Sequence, residues 1–283
     1  LGDVYKRQII IYIKLTEGEI MSNNKDKIFA RYTAGKEDGR ETYSRNDSLE
    51  YYYTKKHLEG IVKPTDRVLE IGCATGYYGF YYADSFKEYV GVDIFPPHIE
   101  LLNKRIKERE INNMSAQVGD AINLENIPDN SFDVVLHLGP MYHLSKDERE
   151  LACKEAARVC KDDGILAFAY IVSIGTYAGA CVLDSNTYPN ELTNDYVLNK
   201  GTDDLRPELF FYTMPEEMEE MAKRHGLSKI KNLGTNFMCL LQKVNEMTDE
   251  QFEVMRPLYD RMAGYESCTG MAGHALLVCR KRA

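Results

Sequence analysis

Tryptophan is absent, and the seven cysteines of this 283-residue chain form no C-x-x-C pair and no cluster with histidine. That pattern excludes the sequence signatures of zinc ribbons and dithiol redox centres, so no metal is expected. An odd set of scattered thiols suits a reducing, cytoplasmic setting. Excess positive charge is also missing, since 35 Lys and Arg face 44 Asp and Glu for a net charge of −9. A surface of that sign repels polyanions, and nucleic acid is not an expected partner. Long apolar runs are lacking too. The stretch Ile9 to Ile13 falls far short of the roughly 20 residues a bilayer demands, and no small-residue cleavage site follows it. No membrane association is expected.

What is present suffices for one full core, with 44% hydrophobic and 28% charged residues in ordinary globular proportion. Residues 1–20 are set apart as a leader. Met21 looks like a natural start followed by polar, helix-ready sequence, and LGDVYKRQ resembles translated read-through at the ends of environmental sequence assemblies. Residues 21–283 are expected to form one domain, with a helical cap over 21–64 and an insertion or lid over 173–209.

Strand and helix signals alternate along the middle of the chain. Strands are predicted at Arg67–Ile71, Tyr89–Asp93, Ser115–Val118, Asp133–Leu138 and Ile165–Ile171, with helices starting near Tyr77, Pro97 and Lys146. The helix from Lys146 meets a stop signal at Asp162, Asp163 and Gly164. Such alternation predicts an α/β fold with a doubly wound, mainly parallel seven-stranded Rossmann-like sheet and helices on both faces. From 172 to 209 the sequence turns polar and turn-rich. A helix then starts at Pro215 with Met218, Met221 and Ala222 on one face, followed by a strand at 227–233, a helix at 248–262 and a last strand at 274–279.

The strongest local signal is VLEIGCATG, residues 68–76, a buried strand entering a small-residue turn and a helix. Gly72 and Gly76 let the backbone bend and approach a ligand closely. Asp93 ends the second strand, where a carboxylate accepts the hydroxyl hydrogens of a ribose. A nucleoside-binding crevice is the expectation; the alternative is a plain tight turn with a helix-capping acid. A dinucleotide would want G-x-G-x-x-G and helix amides on its pyrophosphate. Here Ala74 replaces the second glycine of that pattern, and Glu70 puts an acid beside the site, which suits a ligand bearing ammonium and sulfonium groups.

VLEIGCATG, YVGVDIF, GDAINL, PDNSFDVVLHLGPMYHL and ARVCKDDGILAFAYI together resemble the successive motifs of class I S-adenosylmethionine-dependent methyltransferases. LGPMYHL, FYTMPEEMEEM and GHALLVCRK further resemble a bacterial, small-molecule-type group within them. The resemblance implies S-adenosylmethionine as cofactor. Glu70, Gly72, Cys73, Ala74 and Gly76 would line its methionine and adenosine portions, with Asp93 on the ribose and Ile94 against the adenine. Asp120 and Ala121 would meet the adenine edge and ring, and His137 and Leu138 would lie nearby. The family often has glycine where Ala74 stands.

Methyl transfer from a sulfonium needs an in-line nucleophile more than it needs a base. Tyr142 and His143 are the candidate catalytic pair for a small-molecule acceptor, the alternative being a Tyr-His wall of the crevice. Cys73 reads as a turn filler. Tyr51 to Tyr53, Tyr77, Tyr78, Tyr81 and Tyr82 are either acceptor-stacking rings or half-buried packing. Two rival readings are a catalytically silent S-adenosylmethionine-binding module and an NAD-dependent oxidoreductase.

Overall fold

The computed structural model describes residues 24–33, 35, 37–200, 210–237 and 240–282. The expected leader therefore lies outside the described residues. In chain order the elements are α1 (Asn24–Thr33), α2 (Arg45–Leu58), β1 (Arg67–Ile71), α3 (Tyr77–Tyr81), β2 (Glu88–Asp93), α4 (Pro96–Glu108), β3 (Met114–Val118), β4 (Phe132–His137), α5 (Lys146–Val159), β5 (Cys160–Ile171), α6 (Ser173–Leu183), α7 (Glu191–Asn194), α8 (Pro215–Arg224), β6 (Leu227–Gly234), α9 (Leu241–Glu246), α10 (Asp249–Gly264) and β7 (His274–Lys281).

The seven strands form one sheet in the order β3-β2-β1-β4-β5-β7-β6. The first five run parallel, and β7 inserts antiparallel between β5 and β6. This is the mainly parallel sheet anticipated from the alternation. Successive residues of each central strand feed opposite layers, as a period of two demands. Val68, Val134, Leu136, Leu276 and Val278 pack on one side with Ile99, Leu102 and Ile106 of α4. Leu69, Ile71, Val135, Phe168 and Leu277 pack on the other with Ala152 and Ala156 of α5 and Met218 of α8. Central strands covered on both faces explain why these segments are nearly continuous apolar runs.

Local signals explain several helix starts. Ser145 and Glu148 form a reciprocal capping box at α5, Thr248 and Gln251 do so at α10, and Pro215 occupies the first turn of α8. Two readings need correction. The anticipated break at Asp162–Gly164 lies inside β5, where Asp163 takes a φ of 61° and the pairing with β4 slips between Phe132 and Val134. The break is a bulge within one strand and not a turn before it. The stretch from 173 was expected to be irregular, yet Ser173–Leu183 is helical. Strand order reverses between β1 and β4, which opens a crevice beyond their carboxyl ends, the usual ligand position in such sheets.

Candidate active site

The turn after β1 spends four of its five amides, all but that of Thr75, on acceptors within the protein. Gly72 N–H and Cys73 N–H both donate to Val92 O (2.7 and 3.1 Å), and Gly76 N–H donates to Cys73 O (2.9 Å). Ala74 N–H donates to Asp93 Oδ2 at 2.9 Å. Ala74 has a φ of 45°, so alanine holds a left-handed geometry that glycine would adopt freely. Asp93 Oδ1 accepts Phe95 N–H at 2.9 Å, so one buried carboxylate ties the end of β2 to the turn after β1.

These elements wall a cavity of roughly 430 Å³. Of the sequence-predicted residues, Glu70, Gly72, Cys73, Ala74, Asp93, Ile94, Asp120, Ala121, Leu138, Tyr142 and His143 line it, whereas Gly76 and His137 do not. Gly76 caps α3 at φ 89°, and its role is to make the turn. His137 pairs with Ile71 and Phe168 in the middle of the sheet, fully buried, its ring 5.6 Å from that of Phe168. Burial pushes its imidazole down to about 3, so the ring is neutral, and neither nitrogen finds a partner on another described residue. Cys73 is buried, and burial drives its thiol well above the ordinary range, which suits a turn filler and not a thiolate.

Glu70 is held otherwise than its sequence position suggests. Its carboxyl accepts the Tyr89 hydroxyl at 2.6 Å. Burial pushes it up to about 8, with the Asp93 charge adding to the rise and the Tyr89 hydrogen bond opposing it. The group is therefore protonated in the folded chain at pH values where it ionises in the unfolded one. Unfolding releases a proton between its ordinary 4.5 and about 8, so its contribution to stability is complete below that window and lost as pH rises through it. Urea denaturation of the ligand-free protein is expected to give a midpoint that falls from pH 5 to 8, and Glu70→Gln should flatten the slope. An unchanged slope in the variant would assign it to other groups.

The amino-terminal segment closes the cavity, and it supplies wall residues that the sequence did not reveal. Lys25 Nζ donates to Asp120 Oδ2 at 2.6 Å, Tyr32 Oη lies 2.8 Å from His143 Nε2, and Asp38 accepts from Arg105 (2.7 and 2.8 Å) and from Thr75 Oγ1 (2.9 Å). Behind them the Arg40 guanidinium binds Glu50 through two bonds of 3.1 Å and Glu37 through Nε at 3.1 Å, and lies 5.0 Å over the Tyr51 ring. Burial raises the Glu50 carboxyl, but the charges of Arg40 and His274 outweigh it and hold the group below the ordinary range. These contacts span sequence separations up to 111 residues, so no local pattern announces them. Tyr51, Tyr77, Tyr78 and Tyr81 line the cavity, while Tyr53 stacks on Tyr259 in the core. Burial holds the Tyr142 phenol far above its ordinary range. Among the described residues none of 173–200 lines the cavity, but Phe210 and Phe211 do abut it. Phe210 stacks on His143 at 5.0 Å, and Phe211 N–H donates to Tyr142 O at 2.7 Å.

Among the described residues, no helix is long and apolar enough to cross a membrane, and no group of three His, Cys, Asp or Glu is placed to hold a metal. Residues 68–164 match the family described as a methyltransferase domain. An uncharacterised methyltransferase of Schizosaccharomyces pombe is 32% identical over 148 residues, which is 48% of either chain, so this chain spans about half the length of that curated relative. A Thermotoga maritima structure described as an S-adenosylmethionine-dependent methyltransferase, possible histamine N-methyltransferase, superposes with a TM-score of 0.56 at 18% identity over 90% of this chain and 99% of its own. The [4+2]-cyclase SpnF superposes with a TM-score of 0.58 at 18% identity over 92% and 94%. These superpositions show a shared fold. Residues 68–164 thus match a methyltransferase domain, and the superpositions show that the chain shares the fold of Rossmann-like methyltransferase structures.

Proposed function

We propose that this chain transfers the sulfonium methyl group of S-adenosylmethionine to a small-molecule acceptor, and that it belongs to the bacterial, cytoplasmic group marked by LGPMYHL. One observation carries the reading. The turn after β1 spends the amides of Gly72, Cys73, Ala74 and Gly76 on Val92, Asp93 and Cys73, so they are not offered to a diphosphate. A dinucleotide-binding turn works the other way, presenting its amides to an anion. The residues instead suit a nucleoside with a cationic tail. Asp93 keeps lone pairs for ribose hydroxyls, Ile94, Ala121 and Leu138 offer apolar walls for the base, and the Glu70 carboxyl, protonated in the ligand-free chain, would ionise beside the cationic tail.

The bound cofactor supplies an electrophilic methyl group, and the chain's task is to orient an acceptor and exclude water. Holding the reacting atoms in line accounts for about 7–11 kcal/mol in favourable cases. Tyr142 and His143 stand at the crevice edge after β4, where the acceptor would arrive. His143 is the candidate proton acceptor, with Tyr32 and Phe210 fixing its ring. His143→Ala is expected to lower turnover by roughly 10²-fold while affinity for S-adenosylmethionine stays nearly unchanged. Full turnover in the variant would reduce His143 to packing. The wider reading is tested by calorimetry with S-adenosylmethionine and with NAD, together with release of S-adenosylhomocysteine in a cell extract. Binding of NAD alone would favour an oxidoreductase, and binding of S-adenosylmethionine without turnover would favour a silent module.

A further inference from the structure

The charge lining the cavity limits what the acceptor is. Among the ionisable side chains on its wall, with histidines counted as uncharged and Glu70 set aside as protonated, seven acids face four bases. S-adenosylmethionine, with an ammonium, a sulfonium and a carboxylate, brings one net positive charge. Two negative charges remain uncompensated, and within a cavity they weigh more than on the open surface.

Part of the excess lies away from the cofactor turn, where Glu37, Glu41 and Glu50 share the cavity wall with Arg40. Arg31 stands nearby, its charge acting on Tyr32 and Tyr142, and Arg40 is spent on two carboxylates, Glu50 through both of its terminal nitrogens and Glu37 through Nε. It cannot receive an anionic acceptor without abandoning one of them. Glu50 is fully engaged, but the hydrogen bonds to Glu37, from Arg40 and from the Tyr51 hydroxyl, both fall on Oε1. Among the described residues, Oε2 keeps its lone pairs for a ligand. Around this pair stand Tyr32, Tyr51, Tyr78 and Tyr142, all lining the same cavity. The Glu37 charge acts on Tyr32, Tyr51 and Tyr142 together, which places these groups within one small volume. Aromatic faces and a carboxylate around a desolvated space are what an ammonium group seeks.

We propose that the acceptor is an amine, held as its ammonium at Glu37 among the tyrosines and methylated on nitrogen. This rests on the methyltransferase reading. Glu37 holds the ammonium, which gives one proton to the His143 imidazole, from which it passes to water. The freed nitrogen lone pair forms the N–C bond as the C–S bond breaks, and the sulfur keeps the bonding pair as a neutral thioether. The methylated amine leaves as a cation.

The test uses the full chain, S-adenosylmethionine carrying a deuterated methyl group, and an extract of small metabolites, with fragmentation mass spectrometry to locate the label. The expected result is deuterated methyl on nitrogen, in a compound that is cationic at neutral pH. For that compound Glu37→Gln should raise KM by about tenfold or more, as loss of a charge-assisted contact does, with calorimetric affinity for S-adenosylmethionine unchanged. Label on oxygen, sulfur or carbon overturns the inference, as does no labelled metabolite although the cofactor binds, or an unmoved KM in Glu37→Gln. Failure of the protein to bind S-adenosylmethionine would sink the methyltransferase reading itself. Glu50→Gln is the poorer variant, because it leaves the Arg40 guanidinium buried without its bidentate partner and so tests folding first.

Discussion

Gly72→Ala is expected to lose about 2–5 kcal/mol of stability and most cofactor binding, because two penalties fall on one added methyl group. The residue sits at φ 76°, where an L side chain costs roughly 1–2 kcal/mol. A Cβ built there stands 2.5 Å from Pro140 Cδ and 2.8 Å from its Cγ, closer than real carbon atoms approach. Pro140 is a rigid ring, so relief requires the turn after β1 to separate from the segment that carries Tyr142 and His143. Overpacking of that kind costs about 1–3 kcal/mol more. Gly226→Ala is the matched control, since Gly226 has the same φ of 76° with nothing within 4 Å of its would-be Cβ. Urea denaturation of both variants separates the conformational cost from the collision. Equal losses would mean that contact with Pro140 does not hold the two turns together.

The same geometry explains which parts of the molecule could be read from sequence. Strands β1, β2, β4 and β5 are apolar because both faces are covered, and the caps at Ser145 and Thr248 act within four residues, so a short window contains their whole cause. The helix α6 was hidden for the opposite reason. SIGTYAGACVL has two glycines and several β-branched residues, a poor helix former by itself. It forms where Gly175 packs against the chain before β7; a Cβ there would lie 2.1 Å from Ala272 O. Tertiary contact decides the conformation, and no local pattern encodes it. Glu70 is an intermediate case. Its position at the strand end and its acidity were legible, but its protonation depends on burial in the folded sheet, against which the Tyr89 hydroxyl reaching it from β2 works. The cap side of the cavity was least legible, because Lys25, Tyr32, Glu37 and Arg40 meet their partners only after the cap has folded over the sheet.

Asp93→Ala is expected to weaken S-adenosylmethionine binding by about 1–3 kcal/mol, roughly 5- to 150-fold, through loss of charge-assisted bonds to ribose hydroxyls. Affinity alone would be ambiguous, because this carboxylate also receives Ala74 N–H and Phe95 N–H, each at 2.9 Å. Removing it frees the amide that steadies Ala74 at its positive φ, so part of any loss would come from a slackened turn. A thermodynamic cycle separates the two effects. An S-adenosylhomocysteine analogue lacking the ribose 2′-hydroxyl should bind the natural chain more weakly than the full compound. The Asp93→Ala variant should bind both compounds alike, since the group that distinguished them is gone. If the hydroxyl is worth as much to the variant as to the natural chain, Asp93 acts only by fastening the turn, and the ribose is held elsewhere. A coupling of about 1 kcal/mol or more would put the carboxylate on the sugar itself. One side chain would then both shape the pocket and bind its contents, so neither function could be changed independently of the other.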